Sequence, residues 1–392
     1  MKLNHGLQLA YCTNIHRGEN WLETLSSLNQ HTLAVREAVA PNQPFAIGLR
    51  LSDLASRELL EGRNMTEFRR WLDDHQCYVF TINGFPYGQF HGTRVKEQVY
   101  RPDWTSPARL EYTNRLFDIL GELLPPGMEG SVSTLPGSFK DFITEQGQID
   151  AIENHLWACA EHIERLSNRR GQAFHLGLEP EPWGLFENTT EAVGFFEEMA
   201  AGRPSERDRL LRYIGVNYDT CHLAIEFEDP AEAVGRLRAH GIKISKFHLS
   251  SALTVRPTPE SRKFLAGFAE DTYLHQVAVK SDSGPVTIYK DLDQALDATK
   301  TAEPAPGEEW RIHFHIPIHS PPSDLAGNTV DHLRGVLDLL QLEPGICSHL
   351  EMETYTWEVM PAGMKNRSVV NQLAAEYAWS LRELRERGLA PR

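Results

Sequence analysis

Short apolar or β-branched runs alternate along the chain with longer stretches whose apolar residues recur every three to four positions. That alternation is the mark of βα units around a parallel sheet. The runs expected to be strands are Leu7–Thr13, Phe45–Leu51, Cys77–Asn83, Gly130–Leu135, Phe174–Glu179, Tyr213–Asp219, Lys243–Leu249 and Ser348–Thr354. Between them Trp21, Leu25, Leu28, Val35 and Val39 share one helical face, as do Leu110, Phe117, Leu120 and Leu124, and then Ile152, Leu156, Cys159, Ile163 and Leu166. Asn188-Thr-Thr-Glu191 offers a cap and an acidic first turn, so a helix is expected directly after the fifth strand. The spacing breaks between the seventh and eighth runs. There an insertion is expected over about residues 256–320, with YLHQVAVK and PVTIYK as two strands joined by a Ser/Asp/Gly turn and WRIHFHIPIH as another. The Pro/Ala/Glu-rich ATKTAEPAPGEE within it reads as a surface loop. The expectation is one domain over residues 1–392, an α/β (β/α)8 TIM barrel with an insertion between strands seven and eight.

Composition narrows the classes of function. Hydrophobic residues at 41% and charged residues at 24% describe a chain able to bury a large core. The net charge of −15 opposes phosphate attraction, so no nucleic-acid partner is expected. No run approaches the roughly 20 apolar residues of a membrane helix, and the start MKLNHGLQLAYC has no apolar core of a secretory signal. Five scattered cysteines, none in a CxxC pair, exclude a disulfide framework and a thiolate zinc site. A cytoplasmic location is expected, with homo-oligomers left open.

In such a barrel the chemistry sits at the C-terminal ends of the strands. HLGLEPEP places Glu179 at the end of strand five, with Glu181 two residues on; VNYDTCH places Asp219 at the end of strand six and His222 one helical turn later. KFHLSSA carries His248 on strand seven, and HLEMETYTW carries Glu351 and Glu353 on strand eight. Any one of these carboxylates reads equally as a helix cap or ion-pair partner. Together they are three oxygen donors and one imidazole, a set suited to a divalent ion (Mn, Zn, Mg or Co), and three carboxylates in one cavity demand a cation. Glu179 is preferred to Glu181 because Pro180 and Pro182 end the strand, and Glu353 to Glu351 because it lies nearer the mouth; strand parity leaves both choices open. The insertion adds His275, His313, His315 and His319, of which His313 and His315 share one face of a strand, as a supplementary ligand pair would. Asn83-Gly-Phe-Pro-Tyr-Gly88 can wall the cavity, and Asn14 and His16 close strand one. No GxxxxGK[ST], strand-linked GxGxxG or GxSxG motif is present.

LEPEPWGLFENTTEAVGFFEE, NYDTCHLAIEFEDPAEAV and KISKFHLSSA together resemble the second half of xylose-isomerase-like sugar isomerases and epimerases. LAYCTNIHRGENW, FTINGFPYGQFHG, STLPGSF, LEPEP and HLEMETYTW, spread over nearly the whole chain, resemble the metabolite traffic protein EboE family. The first resemblance implies that Glu179 binds metal and exchanges a substrate proton, that Asp219 and His248 are ligands, and that His222 touches the substrate. The function implied is a divalent-metal-dependent isomerase or epimerase of a small polyhydroxylated carbonyl metabolite. Its metal ligands would be Glu179, Asp219, His248 and Glu353; its proton-transfer pair Glu179 and Glu353; and its substrate contacts His222, His315, Asn83 and Glu181. The second resemblance implies the alternative, a metabolite-binding or traffic protein that uses the same metal-lined barrel without turnover.

Overall fold

The β-branched and apolar runs pleat into strands that are buried along their length, because helices cover one side and the closed interior the other. A computed structural model describes residues 1–300, 302–361 and 367–392, so Thr301 of the expected surface loop lies outside the described residues. Thirteen strands occur among those described: β1 (Gln8–Tyr11), β2 (Phe45–Arg50), β3 (Cys77–Asn83), β4 (Gly130–Thr134), β5 (Phe174–Leu178), β6 (Ile214–Asp219), β7 (Ile244–Leu249), β8 (Ala252–Val255), β9 (Val277–Lys280), β10 (Thr287–Tyr289), β11 (Glu309–His315), β12 (Gly327–Asn328) and β13 (His349–Met352). β1–β7 and β13 form one parallel sheet in the order β1-β13-β7-β6-β5-β4-β3-β2, and a bridge between Cys12 and Gly48 joins its two edges. The result is a (β/α)8 barrel.

Caps chosen by sequence set where the helices begin. The Asn188 side chain accepts from the Glu191 amide at 3.0 Å to start the helix Thr189–Gly202, and Glu145 with Gln148 forms a capping box at the head of Gln146–Arg170. The apolar face of Gln146–Arg170, including Ile152, Leu156, Ile163 and Leu166, is buried in the main core. Among the described residues no helix is long and apolar enough to cross a membrane.

The stretch between β7 and β13 folds as a second, antiparallel sheet in the order β10-β9-β11-β8-β12. It reaches past the 256–320 stretch at both ends, because β8 follows β7 after two residues and β12 ends at Asn328. Tyr273, Leu274, Gln276 and His313 from this stretch line the same cavity as residues that end the barrel strands, so the second sheet lies over the barrel mouth.

The C-terminal helix Val369–Glu386 is tied to that roof by Glu376. Its Oε1 accepts from Thr354 Oγ1 at 2.7 Å and from the Ile318 amide at 3.2 Å, while Oε2 has no partner. Burial pushes this carboxyl from 4.5 up to about 7. A carboxyl whose folded value lies above its unfolded value stabilises the fold fully below the unfolded value, and the contribution is lost as pH rises through the folded value. Wild-type stability is therefore expected to fall between pH 4.5 and pH 7 by an amount on the order of 3 kcal/mol from this group. Glu376→Gln should match wild type near pH 4.5 and exceed it at pH 8 in thermal melts; a difference independent of pH would show that Glu376 does not titrate in this window.

Candidate active site

The parallel register sets the side chains of the barrel mouth. Asp219 on β6 is the Cα partner of His248 on β7, which in turn pairs with Glu351 on β13, so these three alternate inward at one level. Glu179 and Glu353 follow the last residues of β5 and β13, and each is anchored by its amide, Glu179 to the Thr134 carbonyl at 3.0 Å and Glu353 to that of Leu249 at 3.2 Å. His248 Nδ1 lies 3.1 Å from Glu179 Oε1, 3.1 Å from Glu353 Oε2 and 3.4 Å from Asp219 Oδ2. These four donor atoms all lie within 4.8 Å of one another, and all four residues are buried.

Each member is held by atoms it does not turn toward the centre. Asp219 Oδ1 caps the following helix through the amides of Cys221 at 2.7 Å and His222 at 3.1 Å and accepts from Ser250 Oγ at 2.6 Å, whereas its Oδ2 has no hydrogen-bond partner. The residue is thus both helix cap and inward carboxylate, through different oxygens. Glu353 Oε1 accepts from the side-chain amides of Asn14 at 2.7 Å and Asn83 at 3.0 Å, which turns Oε2 to the cluster. His248 Nε2 meets Glu351 Oε2 at 2.9 Å, and Lys246 Nζ pairs with the same oxygen and donates to Ser133 Oγ at 3.0 Å. This carboxylate behind the ring supports it as a metal-ligating histidine is supported, with Nδ1 turned to the cluster and 3.2 Å from Asn217 Nδ2. Glu351 fits only because Gly48 has no side chain; a Cβ there would collide with its carboxylate.

The donor set fits a divalent ion. A single imidazole proton cannot satisfy three carboxylates, and metal–ligand bonds of about 2.0–2.2 Å at tetrahedral angles imply ligand–ligand edges of about 3.3–3.6 Å, near the three distances from His248 Nδ1. Electrostatics points the same way. Burial would lower His248, but Glu353 and Glu179 outweigh it and raise the imidazole well above its ordinary value. Burial would raise Asp219, and His222, His315 and His248 reverse this.

Glu179 and Glu353 bring the cluster to the wall of a cavity of about 590 Å³ including its open mouth, with Asp219 and His248 behind them. Glu181, His222 and Asn83 line it with Glu179 and Glu353. Burial, opposed by His222 and aided by the charges of Glu179 and Asp219, pushes Glu181 up to about 8, and its Oε1 has no partner. When protonated it can donate to a ligand oxygen. His222 also has an unpartnered nitrogen, Nδ1, 3.6 Å from Glu179 Oε1. Asn83 spends its amide on Glu353 and its oxygen on the Phe85 amide, so it holds Glu353 while facing the cavity. His315 is fully buried behind His222, with its Nε2 3.2 Å from that of His222. The upper wall is largely aromatic: Phe85, Phe90, Tyr100, Tyr273 and Tyr355. Most of these, with Lys246 and Gln276, have no signature at a strand end. Phe85 is the exception, in the Asn83–Gly88 turn expected to wall the cavity, and Lys246 shares strand parity with His248 in a buried run.

Neither a protein-family model nor a curated protein sequence matches the chain. Among solved structures it is similar to an L-ribulose 3-epimerase, with a TM-score of 0.51 and 13% identity over 97% of this chain and 95% of that one. The two share the fold, a (β/α)8 barrel. A zinc-bound IolI protein (TM-score 0.47, 11% identity, 97% of this chain and 99% of that one) and the mannonate dehydratase of Streptococcus suis serotype 2 (TM-score 0.46, 9% identity, 98% and 97%) are further matches. Identities this low show the fold alone.

Proposed function

We propose that this xylose-isomerase-like barrel is a divalent-metal-dependent isomerase or epimerase of a small polyhydroxylated carbonyl compound. The observation that carries the reading is the convergence of Glu179, Asp219, His248 and Glu353, of which Glu179 and Glu353 line a cavity that also holds unpartnered hydrogen-bonding groups on Glu181 and His222. A divalent ion bound by those four would polarise the substrate carbonyl and neutralise negative charge developing on its oxygen. Glu179 takes the proton from the carbon beside that carbonyl, and the electron pair of the broken C–H bond moves into an enediolate. In epimerisation Glu353, oriented by Asn14 and Asn83, would first take a proton from solvent and give it to the same carbon from the other face, Glu179 then losing its proton to solvent; in isomerisation the proton on Glu179 would pass to the neighbouring carbon. Glu181 and His222 position the hydroxyls. The shared fold with a sugar epimerase is compatible with this chemistry but does not choose it, since function lives in the site. The likeness to the metabolite traffic protein EboE family rests on sequence motifs alone. We place the protein in the cytoplasm, in keeping with five buried, unpaired cysteines.

The test is proton exchange. A panel of ketoses and aldoses incubated with Mn²⁺-loaded protein in D2O should include one that gains deuterium at the carbon beside its carbonyl, observed by NMR. Tight binding of a panel member with no deuterium entering it would favour the carrier.

A further inference from the structure

Hydrogen-bonding groups without partners gather where Glu179 and Glu353 reach the cavity. His222 Nδ1 lies 3.6 Å from Glu179 Oε1, Asn14, whose amide holds Glu353, has an unpartnered Oδ1, and Glu181 Oε1 is likewise unpartnered. The rest of the wall is made largely of rings. Phe90, Tyr273 and Tyr355 pack against one another with centroids 5.8, 6.0 and 5.4 Å apart, and Phe85 stands edge-on to Tyr100 at 5.4 Å. We propose that the compound held in this cavity carries an aryl group on its hydroxylated carbonyl head, and that the aryl ring lies against Phe90, Tyr273 and Tyr355.

The polar atoms on the ringed side are already committed. The Tyr273 hydroxyl pairs with His91 Nδ1 at 2.6 Å, and that of Tyr355 reaches His313 Nε2 at 3.4 Å. Lys96 Nζ donates to Asp291 Oδ2 at 2.6 Å and to the Glu270 carbonyl at 2.9 Å. Gln276 donates its Nε2 to the Pro182 carbonyl at 2.8 Å, and its Oε1 lies 2.7 Å from His313 Nδ1. What this side offers a ligand is ring carbon, with the aliphatic carbons of Val99 and Leu274.

A free sugar carries a hydroxyl on nearly every carbon. Each one brought against this wall would give up water without a new partner, which weakens binding by roughly tenfold or more. One aromatic ring can take the C–H face of a sugar while the hydroxyls turn to polar groups around it; three rings packed together, with their polar atoms spent, leave no such rim. An aryl group gives up no hydrogen bond on entering and gains ring–ring contacts at the spacing of about 4.5–7 Å that aromatic pairs prefer. Phe90 comes from the loop after β3 and Tyr273 from the stretch between β7 and β13, so these two rings belong to the cover over the barrel mouth rather than to the strand ends that hold the carboxylates. Only the fate of the carbonyl rests on the isomerase reading; the ring contact needs the wall alone.

The experiment compares two ketones that share one head, benzyl hydroxymethyl ketone and hydroxyethyl hydroxymethyl ketone, which differ only in phenyl against hydroxymethyl beyond the same methylene. Binding to the Mn²⁺-loaded full chain, read by isothermal titration, should favour the benzyl ketone by at least about tenfold. Tyr273→Ser and Phe90→Ser should each cut that preference by about threefold or more. Tyr273→Phe, which keeps the ring and loses only the contact with His91, should retain it. Comparable affinity for the two ketones in wild type, or tighter binding of the hydroxyethyl ketone, overturns the proposal, as does an undiminished preference in both serine variants. The isomerase reading fails separately. A preference for the benzyl ketone with no deuterium entering any bound ketone in D2O sustains the aryl site and sinks isomerisation, whereas deuterium entering a sugar that binds more tightly than the benzyl ketone sustains isomerisation and overturns the aryl site.

Discussion

Asp219→Asn and His248→Ala should each weaken Mn²⁺ binding by at least about 10²-fold, because removal of a ligand costs no less than loss of a group that merely orients one. Asparagine is the informative replacement at 219. Asp219 Oδ1 caps the helix after β6 and accepts from Ser250 Oγ, so alanine would confound a lost cap with a lost ligand. Asparagine keeps an oxygen for those donors and removes the anionic partner of the ion. At His248 the change also deprives Glu351 of its imidazole, although Lys246 remains beside that carboxylate. Because the ligands come from β6, β7 and the ends of β5 and β13, an ion held there ties half of the barrel together. Mn²⁺ at a hundredfold excess over its Kd should stabilise the wild-type fold by about 2.7 kcal/mol, seen as a rise in Tm reversed by chelator. Wild-type Mn²⁺ affinity in both variants would remove Asp219 and His248 from the site.

The barrel was legible because its strands are buried on both faces, which turns each into a short apolar run with few polar interruptions. Asp219, His248 and Glu179 were legible for the same reason: a charged residue closing such a run has no apolar role. Glu353 could be separated from Glu351 in sequence only by its greater height, whereas in the structure the division is chemical, one oxygen of Glu353 facing the cluster and Glu351 standing behind the imidazole. The distant partners left no trace in the pattern. Asn14 reaches Glu353 across 339 positions, and Tyr273 reaches the cavity from the second sheet, contacts set by tertiary folding alone. β8 and β12 were missed because they are only four and two residues long and take their register from β11 and β8. His315 was expected to touch substrate, and it stands one ring further back, against His222.

Glu353→Gln should lower turnover by at least about 10²-fold at saturating metal while substrate binding is better preserved, since general acid–base transfer contributes about 10²–10⁴. Glutamine keeps an oxygen to accept the Asn14 and Asn83 amides, so the side chain stays in place and only its basicity and charge are lost. Glu351→Gln should behave in the opposite way. Burial would raise Glu351, but Lys246 and His248 hold it down at about 2, so it is an anion paired with a fully buried ammonium. Neutralising it strands the Lys246 charge, a change that typically costs about 3–5 kcal/mol of stability. It also gives the Nε2–H of His248 a neutral amide oxygen in place of a carboxylate as acceptor, which should weaken metal binding by about 10-fold or more. Turnover of the metal-saturated, folded fraction should then stay within about tenfold of wild type, because Glu351 stands behind the imidazole and away from the cavity lining. Adding Lys246→Met to Glu351→Gln should recover much of the lost stability by removing the stranded charge, without restoring metal affinity. Should Glu351→Gln prove the worse enzyme at saturating metal, with Glu353→Gln close to wild type, then Glu351 is the carboxylate that moves the proton and Glu353 has no part in the chemistry.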